Sequence, residues 1–245
     1  MAAVRLEAVT KSFGTKRVLD DMSFEVEAGR GFVILGRSGT GKSVTLKHII
    51  GLIQPDAGRV FVGDDEISAL PPRDLPRVRR KIGFLFQAAA LFDSISVGEN
   101  VAFPLRRHTR LSDGEIRQRA EAKLDAVGLA SEFGKMPADL SGGMRKRAGL
   151  ARAMALDPEI LLVDEPSAGL DPITSGEIDD LLLDQKRRGG TTLIVVTHNI
   201  PSARRLGDEF LLLHDGRVAA RGTPAEFDNS RDELVRAFMA SSHSG

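Results

Sequence analysis

The 245-residue chain has no cysteine, no tryptophan and no tyrosine, and its aromatic character rests on 12 phenylalanines. Without cysteine, disulfides, iron–sulfur clusters and thiolate zinc sites are excluded, and the composition fits a reducing compartment. Net charge is missing as well, because 34 Lys and Arg balance 34 Asp and Glu. A dedicated nucleic-acid binder carries a basic surplus, so no nucleic-acid partner is expected. Long apolar runs are also absent. The longest is five residues, Ala88 to Phe92, against the ~20 needed to span a bilayer. Met1-Ala2-Ala3-Val4 leads into an alternating pattern, without the charged and apolar regions of a secretory signal.

Short apolar runs alternate with helical patterns, which predicts an α/β protein. Met22, Phe24 and Val26 alternate with polar neighbours, as in a half-buried antiparallel strand. The runs 32–35, 160–163, 193–196 and 210–213 are continuously apolar, as central parallel strands covered on both faces are. The stretch 88–155 lacks such runs. Within it Ser112-Asp113-Gly114-Glu115 reads as a capping box, followed by Ile116, Ala120, Leu124 and Val127 at helical spacing up to Gly128. A helical insertion therefore interrupts a mostly parallel sheet. The clusters Arg77 to Lys81, Arg145 to Arg147 and Lys186 to Arg188 are expected to be solvated faces, and Ser241 to Gly245 a frayed end.

Gly36-Arg37-Ser38-Gly39-Thr40-Gly41-Lys42-Ser43 matches G-x-x-x-x-G-K-[ST] directly after the apolar run 32–35, and a helical segment, Val44 to Leu52, follows. Such glycines turn backbone N–H groups inward, and the following helix N-terminus adds partial positive charge, so the segment predicts a triphosphate cradle. Lys42 is expected on the β- and γ-phosphates and the Ser43 hydroxyl on Mg²⁺.

The run 160–163 ends in Asp164 and Glu165, at the strand tip where open α/β sheets collect ligands. Asp164 is placed to hold the Mg²⁺ shell and Glu165 to orient or deprotonate the attacking water. The run 193–196 ends in Thr197-His198, which brings His198 within reach of the same γ-phosphate. The other histidines, His48, His108, His214 and His243, read as structural. Leu140-Ser141-Gly142-Gly143 opens another helical run, Met144 to Leu156, with Ser141 as N-cap. Spacing alone leaves open whether it is an ordinary cap or a second phosphate receptor.

Gly36 to Ser43, Gln87, Leu140 to Gly143, Asp164-Glu165, Ser167-Ala168-Gly169-Leu170-Asp171 and His198 stand in the order found in ATP-binding-cassette (ABC) ATPases. They resemble the Walker A, Q-loop, signature, Walker B, D-loop and H-loop elements, over roughly residues 4 to 240. The resemblance implies a single ABC ATPase domain over 1–245. A P-loop core with an antiparallel β element would occupy 1–87 and 156–245, and a helical signature subdomain 88–155. It implies ATP and Mg²⁺ as cofactors, with Gln87 beside Ser43 and Asp164 at the metal. It also implies a head-to-tail dimer in which Ser141, Gly142 and Gly143 of one copy contact the ATP held by the other. Phe13, in Ser12-Phe13-Gly14, is the candidate for stacking on the base. A Phe lacks the hydroxyl of the usual Tyr, which suggests loose base selectivity.

Gln87 is followed by Ala88-Ala89-Ala90-Leu91-Phe92 and then Val97, Val101 and Phe103. That apolar stretch suits either a socket for a partner helix or the helical core. The segments Leu46 to Leu52, Leu85 to Ser94, Val97 to Leu105 and the signature continuation Met144-Arg145-Lys146-Arg147 resemble those of Mla/Mce-type lipid transport ATPases. That resemblance implies an integral membrane permease, lipid-binding accessory subunits and a place on the cytoplasmic side of a membrane, the bacterial inner membrane in particular. Transport of another substrate class, such as polar amino acids, and a non-transport role of the cell-division type stay open. So does the end of the chain, since Asp232 to Met239 could dock on a partner or pack on its own core.

Overall fold

A computed structural model describes residues 1–240; the expectations for Ser241 to Gly245, His243 included, lie outside the described residues. The chain opens with β1 (Ala2–Phe13) and β2 (Lys16–Glu27), then β3 (Gly31–Leu35), which feeds α1 (Lys42–Ile49). It returns through β4 (Ala57–Val62), β5 (Asp65–Glu66) and the short α2 (Leu75–Arg79) to β6 (Ile82–Leu85). Three helices follow: α3 (Val97–His108), α4 (Asp113–Asp125) and α5 (Gly142–Ala153). Strands and helices then alternate as β7 (Ile160–Asp164), α6 (Pro172–Gly189), β8 (Thr192–Thr197), α7 (Ile200–Leu206) and β9 (Glu209–His214). The last described elements are β10 (Arg217–Gly222), α8 (Pro224–Asp228) and α9 (Glu233–Ala240).

The strands form two sheets. One is antiparallel, in the order β2-β1-β4-β5, and the other runs β10-β9-β3-β8-β7-β6. Within the second sheet every pairing is parallel except β10 with β9. The four continuous apolar runs are strands of this sheet, and the register explains why they are apolar throughout. Successive side chains point to opposite faces, and both faces are covered. Phe32, Ile34, Leu162, Ile194 and Val196 pack with Val4, Leu6, Met22, Phe24 and Val26 of the antiparallel sheet and with Leu46 and Ile49 of α1. Val33, Leu35, Leu161, Val163, Leu193 and Val195 face the other way, into helices α3 to α7 and α9. At roughly 1.5–3 kcal/mol for each large apolar side chain buried, these two cores fix the sheet and the loops at its C-terminal edge.

The capping box at Ser112 forms, with the Ser112 and Glu115 side chains bonded reciprocally. α9 buries Val235, Phe238 and Met239 in the chain's own core. Two features depart from the sequence reading. Strand β6 was not expected, because Gly83 splits its apolar run; a Cβ at Gly83 would lie 2.4 Å from the Ala153 carbonyl, so glycine lets the end of α5 lie directly on the strand. The basic clusters are not simply solvated. Arg79 donates to the carbonyls of Ile50 and Gly51 at 3.0 and 2.8 Å, Lys186 to Asp208 at 2.6 Å, and Lys146 is only 5% exposed. Long side chains in these runs reach back to main-chain carbonyls and to a half-buried acid, which a run of charges in a sequence cannot reveal.

Candidate functional site

The phosphate loop links β3 to α1, as its sequence predicts, and the helix begins at Lys42 itself. Gly41 has φ +106°, and a Cβ there would meet Leu19 Cδ2 at 2.6 Å and the Val18 carbonyl at 2.9 Å. Only glycine fits this approach to the start of β2. Lys42 is nearly buried, and its ammonium donates to the carbonyls of Gly36 and Arg37 at 2.7 and 3.0 Å. The same Nζ lies 3.4 Å from Glu165 Oε1.

Parallel pairing of β7 with β8 and of β8 with β3 sets the tips of three strands side by side, so residues far apart in sequence converge. Ser43 Oγ donates to Asp164 Oδ1 at 2.8 Å. Burial pushes the Asp164 carboxyl above its ordinary value, opposed by the Ser43 hydrogen bond and by the cations of Lys47 and Lys42, with Glu165 adding to the rise. Glu165 has φ +46°, in the left-handed region that costs a non-glycine residue about 1–3 kcal/mol. Its N–H donates to the Val196 carbonyl at 2.9 Å. His198 Nδ1 stands 3.1 Å from Glu165 Oε1. The same His198 Nδ1 lies 3.0 Å from the buried Glu165 Oε2, so the imidazole straddles both carboxylate oxygens.

A cavity of about 230 Å³ joins these groups. Ser38, Gly39, Gly41, Lys42, Ser43, Gln87, Glu165 and His198 line it. Gly36, Arg37 and Thr40 complete the loop without lining it, and Arg37 faces a neighbouring cavity with His198 and Ser167. Val18 lines the cavity too. The sequence reading missed it, and the only signal was its place ahead of the glycine loop on a strand. Phe13 is not in this lining; it stands 48% exposed at the β1–β2 hairpin, with Lys11 Nζ 5.7 Å from its ring centre.

Ser141, Gly142 and Gly143 do not line the cavity of their own chain. Ser141 caps α5, its hydroxyl accepting from the Met144 N–H at 3.2 Å. α5 reaches the site another way. Lys146 Nζ donates to the Glu165 carbonyl at 3.0 Å, and Arg152 donates to the carbonyls of Ala89 and Ala90 at 2.8 and 2.7 Å, in the loop after Gln87. In the D-loop segment Asp171 caps α6, accepting from Ile173 and Thr174 N–H groups at 3.0 Å each. A second, apolar groove of about 340 Å³ lies between β6, α3 and the end of α5, lined by Phe84, Phe86, Phe92, Phe103 and Pro104 among others. Phe92 and Phe103 are about half exposed and pack on each other at 5.0 Å.

Comparison with known proteins identifies the family. The sequence profile of the family described as ABC transporter matches residues 19–168. The chain is 41% identical over 237 residues to the "Probable ribonucleotide transport ATP-binding protein mkl" of Mycobacterium leprae, covering 97% of this chain and 68% of that protein. It is 38% identical over 242 residues to the "Intermembrane phospholipid transport system ATP-binding protein MlaF" of Haemophilus influenzae, covering 99% and 92%. A solved ATP-binding cassette, a dimer in a post-hydrolysis state bound to ADP and Pi, superposes with a TM-score of 0.85 at 35% identity, over 90% of this chain and 98% of that one. The chain belongs to the ABC transporter family, as an ATP-hydrolysing cassette.

Proposed function

We propose that two copies of this chain bind and hydrolyse Mg²⁺·ATP to drive phospholipid transport between membranes through an integral membrane permease. The observation that carries the catalytic part is the convergence of Lys42, Ser43, Gln87, Glu165 and His198 on one cavity, with Asp164 hydrogen-bonded to Ser43.

In this reading the loop N–H groups of Gly36 to Ser43 hold the phosphates and Lys42 turns from its carbonyls to the β- and γ-oxygens. The donor set suits Mg²⁺. Ser43 and Asp164 offer hard oxygens 2.8 Å apart beside Gln87, and among the described residues no cluster of three or more His, Cys, Asp or Glu could form an all-protein cage. Such a partial shell is what an ion shared with phosphates requires. When bound, the ion would neutralise charge on the transferring phosphoryl group. Glu165, at the tip of β7 and in the lining of the cavity, takes the proton of the attacking water. His198 orients that carboxylate through Nδ1, 3.1 Å from Oε1 and 3.0 Å from Oε2, and contacts the γ-phosphate. Ser141, Gly142 and Gly143 close on the ATP of the second copy, in keeping with their absence from their own cavity and with the dimeric relative. Residues 88–155 form the signature subdomain on a core of 1–87 and 156–245.

Among the described residues no helix is long and apolar enough to cross a membrane, and this reading assigns the spanning part to the permease. In this reading the groove of Phe92 and Phe103 receives a permease helix, and the ATPase works on the cytoplasmic face of a membrane, the bacterial inner membrane, with lipid-binding accessory subunits beyond the permease. MlaF supports the lipid reading because the chain spans nearly its whole length. The name of the mycobacterial relative favours a second cargo, ribonucleotides. The test is ATPase stimulation in the complex recovered with its membrane subunit. Stimulation by phospholipid and not by ribonucleotide or amino acid is expected. Stimulation by ribonucleotide alone overturns the cargo, and recovery of soluble partners only overturns the transport role.

A further inference from the structure

The Glu165 peptide is pinned from both sides. Its N–H is held by β8 through Val196 at 2.9 Å, and its carbonyl accepts from the Ala168 N–H at 3.2 Å and from the Lys146 ammonium at 3.0 Å. Between these pins the backbone stands at φ +46°. A non-glycine residue keeps such a conformation only where its surroundings over-determine it. The same conformation aims the carboxylate at Lys42 and His198.

Lys146 is an unexpected residue to find there. It is 5% exposed, and burial pulls its ammonium below its ordinary value, opposed by the carboxylates of Asp164 and Glu165. A methionine would fill the same volume without desolvating a charge. The cation is therefore placed for what it bonds to, and that is the main chain of Glu165.

We infer that Lys146 is a positioning residue for hydrolysis: its ammonium fixes the Glu165 main chain so that the carboxylate faces the attacking water. The inference rests on the reading of Glu165 as the base. It also gives α5 two duties at two sites. Ser141 at its N-terminus serves the partner's ATP, while Lys146, one and a half turns on, serves the ATP of its own chain.

The test compares Lys146→Met, Lys146→Gln and Lys146→Arg in the full chain, by steady-state hydrolysis and by amide hydrogen exchange. The Met and Gln variants are expected to lose about tenfold or more in kcat, the scale of a small misplacement of a catalytic group, with KM for ATP within about twofold because the phosphate loop is untouched. Exchange at Glu165 and Ala168 quickens in both, while Thr45 in the phosphate loop stays protected. Lys146→Arg, which keeps a cation and donors, recovers most of the loss. If the Met variant does not fold, the Gln and Arg variants alone decide. Unchanged kcat, a loss confined to KM, or an Arg variant as slow as Gln would overturn the role. Glu165→Gln is measured alongside. Normal hydrolysis by that variant would sink the reading of Glu165 itself, while the exchange data still report whether Lys146 holds the peptide.

Discussion

Ser43 and Asp164, 121 residues apart in sequence, are joined by a 2.8 Å hydrogen bond from Ser43 Oγ to Asp164 Oδ1. The bond ties the end of the phosphate loop to the tip of β7, and in the proposed reading a divalent ion entering the site would meet both oxygens. Ser43→Ala and Asp164→Asn are therefore expected to lower kcat by about 10²-fold or more and to raise the Mg²⁺ concentration needed for half activity. Magnesium titrations of ATPase rate check this, and an unchanged titration would remove both residues from the metal.

Ser141 lies outside the cavity of its own chain. Ser141→Arg is expected to abolish hydrolysis while ATP affinity of the monomer, measured by fluorescent nucleotide binding, stays within about twofold. An arginine side chain at the cap blocks the approach of the second copy and leaves Gly36 to Ser43 intact. Loss of monomer binding would contradict action in trans.

The missing tyrosine bears on base choice. Phe13 is half exposed and offers a ring face without a hydroxyl, and Val18, which lines the cavity, has no polar side-chain atom. ATP and GTP are expected to turn over at comparable rates. Phe13→Ala should weaken both alike, by roughly 1–3 kcal/mol of stacking. Strict ATP preference in the wild type would place selectivity elsewhere.

His48 of α1 is buried, with Nδ1 2.8 Å from the Val44 carbonyl and the Gln54 main chain also facing the ring. Burial lowers its pKa from 6.5, with Lys11 adding to the fall and the Val44 carbonyl and Asp56 opposing it. The unfolded chain thus takes up a proton below pH 6.5 that the folded chain resists. This share of stability is complete above that pH and declines as pH falls below it. Melting temperature should drop from pH 7 to pH 5 more in the wild type than in His48→Gln, at about 2–4 °C per kcal/mol. Parallel profiles would contradict the assignment.

Much of this site was legible in the sequence because it is made of strand tips. Apolar runs at 32–35, 160–163 and 193–196 reveal buried strands, and the residues after them have to meet at one edge of the sheet. What escaped was contact made sideways. Gly83 concealed β6 because a close helix crossing requires it. Val18 carries no chemistry in its residue type. Lys146 looked like one more surface cation in Arg145 to Arg147, and only the packing of α5 shows its ammonium buried on the Glu165 carbonyl. Periodicity reports which face is apolar; it does not report a long polar side chain that turns inward to a main-chain group.

Glu165→Gln tests the central claim most directly. The substitution keeps shape and burial and removes the proton acceptor. The account predicts ATP binding near wild-type strength, a dimer persisting with ATP during size-exclusion chromatography, and turnover reduced about 10²-fold or more. Near-normal hydrolysis by Glu165→Gln would contradict it.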